Sequence, residues 1–161
     1  MHRRPASEAE AAALSSAVRL RIIRLTHGRA LTNQEIAARL GKDPATTLHH
    51  VRKLVATGFL EPQPARTGNR GAREIPYLST GLSWKISGGQ RQETREAVLE
   101  AFLAEVAEVP PGRLSQSRLV VRVDPAELKR RLRSLLDELE AEPDDPAGER
   151  VAIYLATYPG D

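Results

Sequence analysis

Apolar and polar positions alternate along this chain with two different periods, and the change of period marks its elements. From Ser7 or Glu8 to Thr26 the spacing is helical. Leu14, Val18, Ile22 and Leu25 form one stripe, with Ala13, Ala17, Leu20 and Ile23 beside it. This predicts one helix whose apolar sector is wide enough to serve both a core and a second surface such as a dimer contact, with Gly28 ending it. Thr32 followed three residues later by Glu35 is a capping box that opens a short helix carrying Ile36, Ala37 and Leu40. Gly41 can close it in the left-handed conformation, and Asp43–Pro44 opens the next. In that second helix Thr47, Leu48, Val51, Leu54 and Val55 fall on one side, with Thr46, His49 and Lys53 opposite. Thr32 to Leu60 therefore reads as a helix-turn-helix. Its free face reads either as a nucleic-acid surface or as the solvated side of a helical hairpin.

After Gly58 the period shortens. Phe59–Gln63 and Ile75–Leu78 read as two strands around the basic turn RTGNRGAR, with Pro76 fitting an edge strand. A hairpin with a basic tip directly after a helix-turn-helix is the arrangement of a winged helix, in which Arg66, Arg70 and Arg73 would reach phosphates or a minor groove. The turn could also be merely solvated. Trp84, the only indole, is expected to anchor packing between domains. Ser87–Gln90 reads as a linker.

The helical period returns from Glu93 to Val109, with Val98, Leu99, Phe102, Leu103 and Val106 on one stripe, until Pro110, Pro111 and Gly112 stop it. Ser117–Val123 alternates Leu119, Val121 and Val123 with Arg118 and Arg122 and predicts a strand. Asp124–Pro125 opens a helix with Leu128, Leu132, Leu135, Leu136 and Leu139 inward, and Val151–Tyr158 predicts a last strand. Two strands make a marginal sheet, so they are expected to gain partners from another subunit or from the helices. The cluster Lys129–Arg133 reads as a salt-bridged, solvated face rather than an anion site. The resulting expectation is an α+β chain, mainly helical: a winged helix-turn-helix domain over residues 1–86, then a small helix-strand-helix-strand region over 87–161 for dimerisation or an effector.

Charge sharpens this division. The net charge of +3 conceals an asymmetry, because residues 1–80 carry 13 Lys and Arg against 6 Asp and Glu, whereas the remainder carries 11 against 15. A basic first half suits a polyanion. The basic start at Arg3 and Arg4 could graze a phosphate, but fraying is the expectation for such a terminus. With one Trp, two Phe and three Tyr, the core must rest on Leu, Val, Ile and Ala. The chain has no cysteine, which removes disulfides, thiolate metal sites and cysteine nucleophiles and suits a reducing compartment. The apolar runs are too short for a membrane span or signal peptide, so a cytoplasmic protein is expected.

Catalytic chemistry finds no foothold in the residue pattern. There is no phosphate-cradling glycine loop, no nucleophile elbow and no spaced His and carboxylate cluster, so an enzyme is not expected, nor a cofactor. His49 and His50 invite a zinc reading, but adjacent helical residues point about 100° apart and no other ligand lies nearby in sequence.

The segments PATTLHHVRKLVATGFLE, the basic turn and EIPYLSTGLSW together resemble the ArsR-type (arsenical-repressor-like) winged-helix transcription regulators, in particular cysteine-free members with a longer C-terminal region. The resemblance spans residues 9–86 well and the rest more loosely. It implies that Thr46, Thr47, His49, His50, Arg52 and Lys53 belong to a recognition helix and Arg66, Arg70 and Arg73 to a wing. It also implies a homodimer, acting as a repressor, on two-fold operator DNA, with the helix after the wing at the dimer interface. Metal-sensing members use cysteines or a C-terminal His and carboxylate set. This chain has no Cys, and no His beyond His50, so those metal sites are not expected. A small-molecule effector remains unnamed. The competing reading is a winged-helix module that binds an acidic protein partner.

Overall fold

The computed structural model describes residues 3–68, 71–87, 91–143, 145 and 147–159. The chain divides into two compact units, one essentially His2–Val109 and the other Pro110–Asp161.

The first unit opens with strand β1 (Arg4–Pro5), helix α1 (Glu8–Leu14) and helix α2 (Ala17–Leu25). The single helix expected from the apolar stripe is thus interrupted at Ser15 and Ser16. Ser16 takes an extended conformation, while the Ser15 hydroxyl donates back to the Ala11 carbonyl and lies 3.0 Å from the Thr94 hydroxyl. Serine side chains compete with the backbone for helical hydrogen bonds, and stripe periodicity does not register that competition. Arg19 then reaches back to the carbonyls of Ala13 and Ala12 at 2.6 and 2.8 Å, covering the exposed end of α1.

Strand β2 (Leu31–Thr32) leads into α3 (Asn33–Leu40) and α4 (Pro44–Ala56). Both ends of α3 follow from its sequence. Thr32 and Glu35 form the reciprocal capping box, and Gly41 closes the helix at φ 61°, where a side chain would be strained. Strands β3 (Leu60–Pro62) and β6 (Pro76–Ser79) pair antiparallel, as do β2 and β6, giving the order β2-β6-β3. Pro76 therefore lies on the central strand rather than an edge. It is tolerated there as the strand's first residue, where its carbonyl still accepts from the Gln63 amide at 2.8 Å. Between them β4 (Arg66–Thr67) and β5 (Arg73–Glu74) form the wing.

Helix α5 (Leu82–Lys85) and strand β7 (Ile86–Ser87) follow. Here β1 pairs parallel with β7, Arg4 forms an ion pair with Glu10, and the Arg3 guanidinium lies 4.3 Å from the centre of the Trp84 ring. Arg3 to Pro5 are docked rather than frayed, and Trp84 takes part in that docking. Helix α6 (Gln92–Val106) packs against α2 through buried Thr94, Ala97 and Ala101, with ion pairs Arg21–Glu108 and Arg24–Glu105 at 2.6 and 3.1 Å. Burial raises the Glu105 carboxyl above its usual range, against the pull of Arg24 and Arg21. Residues 91–109 therefore pack with the helix-turn-helix, although the sequence division places them after 86. Gly88, Gly89 and Gln90 of the expected linker lie outside the described residues.

The core of this unit includes Ile22, Ile36, Val51, Leu54, Phe59 and Leu60, each at most 2% exposed. Few aromatics are needed, because branched aliphatics from three helices meet the sheet there.

The second unit contains α7 (Pro125–Ala141), opened by Asp124 accepting from the Ala126 amide. Two expectations fail here. Neither 117–123 nor 151–158 forms a strand among the described residues, and no α7 residue is buried. Leu119 is 81% exposed and Val151 78%. Alternating segments supply strand patterning, but a ladder also requires a paired edge, and neither segment is paired as a strand among the described residues. The cluster Lys129–Arg133 is mainly solvated, with Arg130 paired to Glu127. The α+β winged helix is formed by the first unit.

Candidate nucleic-acid interface

Helix α4 is oriented by its own N-terminus. The Asp43 carboxylate accepts from the Thr46 amide at 2.9 Å, Pro44 occupies the first turn, and the Asn33 side chain of α3 donates to the Pro44 carbonyl at 2.8 Å. The last bond crosses the turn and ties the two helices together. Thr47, Val51 and Leu54 are fully buried beneath α4.

The remaining faces of α4 sort the expected contact residues. Thr46, His49, Arg52 and Lys53 are exposed together on its outer side. Neither Arg52 nor Lys53 has an ion pair with a described carboxylate. Thr47 departs from expectation: its hydroxyl donates to the Asp43 carbonyl at 2.9 Å from a position with no exposure, so it caps and packs instead of reaching outward. Its place on the apolar side of the helical projection already signalled this. His50 sits on the flank, half-buried, with its ring centre 5.9 Å from that of His49. Burial first, then the positive charges of Arg19, His49 and Lys42, lowers its pKa and so favours the neutral ring.

On the wing, Arg66 and Arg73 are exposed, and Arg70 lies outside the described residues. Arg66 is not idle. It donates to Glu35 of α3 at 2.8 Å and lies 3.9 Å from Glu74 across the wing. The Thr32 amide and Arg66 hold the Glu35 carboxyl below the usual carboxylate range. A shallow cleft between α4 and the wing base is lined by Arg52, Val55, Ala56, Pro62, Ile75 and Tyr77.

Two further cations border this surface without having been singled out from sequence. Lys42 is exposed immediately before the α4 cap, and Arg39 is exposed on the last turn of α3. Lys42 was legible in principle, since a cation beside the start of a recognition helix stands where a phosphate would pass. No group of three or more His, Asp or Glu residues positioned to hold a metal occurs among the described residues.

Residues 14–63 match a protein family described as a helix-turn-helix domain. These residues form a helix-turn-helix. The matched segment runs from the end of α1 through α2, α3 and α4 to β3, and so includes the exposed ridge of α4. Comparison with curated proteins gave no match. Among solved structures, a mutant of ZitR from Lactococcus lactis is similar at 15% identity and a TM-score of 0.38, covering 77% of this chain and 75% of that one. RV1404 from Mycobacterium tuberculosis is similar at 20% identity and a TM-score of 0.33, covering 80% and 74%. Among the described residues no helix is long and apolar enough to cross a membrane.

Proposed function

We propose that this protein is an ArsR-like, DNA-binding transcription regulator, a repressor that binds two-fold operator DNA as a homodimer in the cytoplasm. The observation that carries the reading is the exposed row Thr46, His49, Arg52 and Lys53 on the second helix of a helix-turn-helix, with a basic wing beside it. A helix of this kind enters the major groove, where hydroxyl and imidazole groups meet base edges and cations meet phosphates. Arg70 and Arg73 supply the wing contacts, and Arg66 adds a third where it parts from Glu35. His50 supports the ridge from its flank, and Thr47 supports it from beneath.

The homodimer reading rests on α6. Its small residues Ala97 and Ala101 face α2, which leaves Val98, Leu99 and Leu103 at 37, 46 and 55% exposure on another side. An apolar stripe on a helix already fixed from behind suits a symmetric contact with a second copy. Any effector would act through these helices. No catalytic role is assigned.

Selection of bound sequences from random duplex DNA tests the proposal. A palindromic site with half-sites about one helical turn apart is expected. Failure to bind any duplex at low salt, together with recovery of a stable complex with an acidic protein, would replace it with the interaction-module reading.

A further inference from the structure

The second unit carries a segment with strand patterning that is not paired as a strand among the described residues. Leu119, Val120, Val121 and Val123 are between 50 and 81% exposed, just before the capped start of α7. Alternation puts Leu119, Val121 and Val123 on one face and Arg118, Val120, Arg122 and Asp124 on the other. Such a segment is a ready edge for another strand.

Its sequence is self-complementary in one register. When two copies run antiparallel with Val121 opposite Val121, Leu119 lies opposite Val123 and Arg118 opposite Asp124. Two-fold symmetry repeats both pairs. The apolar rows coincide and opposite charges meet at both ends, whereas a one-residue slip would turn the rows to opposite faces. Pairing with the same chain's 151–155 is the competing use. The parallel register that places Val121 opposite Ile153 sets Arg118 against Arg150. The antiparallel one aligns Leu119 with Leu155, Val123 with Val151 and Asp124 with Arg150, but it leaves Arg118 opposite Ala156, one charge pair against the two of the symmetric ladder. Neither ladder forms in the single chain, where Ile153 and Leu155 are also exposed.

From this we infer that residues 118–124 form an antiparallel β-ladder with the same segment of a second copy, a dimer contact separate from the α6 stripe. The ladder gives α7 a sheet on which to place its leucine face. The inference rests on the homodimer reading, which light scattering of the full chain checks independently.

The chain has no cysteine, so single replacements report the register cleanly. Opposed residues of an antiparallel pair have Cα atoms about 4.5–5.5 Å apart, within disulfide range, and diagonal ones have Cβ atoms about 7–8 Å apart. Mild oxidation of the Val121→Cys full chain should give a disulfide dimer as the main product, and Val120→Cys, which faces Arg122, should give little. Arg118→Asp should weaken association several-fold, and adding Arg118→Asp to Asp124→Arg should strengthen association relative to Asp124→Arg alone. That comparison holds the lost helix cap constant. A dimer by light scattering in which Val121→Cys does not cross-link, or cross-links no better than Val120→Cys, would overturn this contact and leave the α6 dimer standing. A monomer would overturn both. A disulfide within one chain in a Val121→Cys, Ile153→Cys variant whose Val121→Cys parent does not cross-link would give the segment to its own chain and end the proposal.

Discussion

Arg66 on the wing donates to Glu35 on the first helix of the helix-turn-helix at 2.8 Å, so the wing is fastened to the motif by a residue expected to meet phosphate. The same carboxylate accepts from the Thr32 amide at 2.7 Å and closes the capping box. Glu35 therefore sets both where α3 begins and where the wing lies. Its charge also opposes an approaching polyanion.

Glu35→Gln separates these roles. Glutamine retains a capping box but removes the negative charge that holds Arg66. Duplex binding is expected to tighten several-fold, and the salt dependence to steepen by about 0.9 in log–log slope, as one more cation becomes free for phosphate. Titration of one duplex at several salt concentrations measures both. An unchanged slope would mean that Arg66 remains bound to the protein in the complex.

Lys53 and Thr47 are separated by six positions on α4, yet they should fail differently. Lys53→Ala removes an exposed cation and should weaken binding across duplex sequences, lowering the salt slope by about 0.9. Thr47→Val removes a buried hydroxyl that donates to the Asp43 carbonyl, a loss of about 1 kcal/mol in stability. Chemical denaturation and duplex titration of both variants should place each effect on its own axis. A stability loss for Lys53→Ala equal to that of Thr47→Val would contradict the assignment of faces.

Acid should release the N-terminal arm. Arg4, together with the Ser7 amide, lowers the Glu10 carboxyl to about 2, against roughly 4.3 for an unfolded chain. A depressed carboxylate stabilises the folded state fully above its unfolded pKa. That contribution declines as pH falls from about 5 toward 2, because the unfolded chain takes up the proton first. Thermal melts between pH 2 and 7 should show the native Tm falling more steeply across this window than that of Glu10→Gln. Parallel curves would show that Glu10 does not contribute to acid sensitivity.

Local chemistry made much of the first unit legible. Thr32 with Glu35, Gly41, and Asp43 with Pro44 each use backbone groups within a few residues, so their geometry follows from nearby sequence. The break at Ser15–Ser16 was hidden by an apolar stripe that runs through it, since periodicity describes the buried side and not the hydrogen-bond ladder. The docking of Arg3 on Trp84 and of Arg66 on Glu35 joins residues 81 and 31 positions apart, a kind of information that no local pattern holds. On the exposed face of α4, Thr46, His49 and Lys53 followed from helical projection, and Arg52 from motif resemblance. Thr47 was carried onto it by motif resemblance, against the same projection. In the second unit the strand patterns of 117–123 and 151–158 are plain, but the pattern alone does not say which edge each would pair with, and neither is paired as a strand among the described residues.

The two sides of α6 give the last expectation. Ala101 is 3% exposed against α2, and Leu103, two residues later, is 55% exposed. Enlarging the first, in Ala101→Leu, inserts three carbons into a close helix contact and should cost about 1–3 kcal/mol in stability. Polar replacement of the second, in Leu103→Ser, falls on a side chain more than half exposed in the single chain, so thermal stability extrapolated to dilute protein should change much less than in Ala101→Leu. Its effect belongs to association: if α6 carries a dimer contact, Leu103→Ser should shift the light-scattering mass toward the monomer and weaken binding to a two-site duplex much more than to an isolated half-site. A dimer with unchanged affinity in Leu103→Ser would remove α6 from the interface and leave Ala101 as the measure of its role, which would then be confined to holding α2.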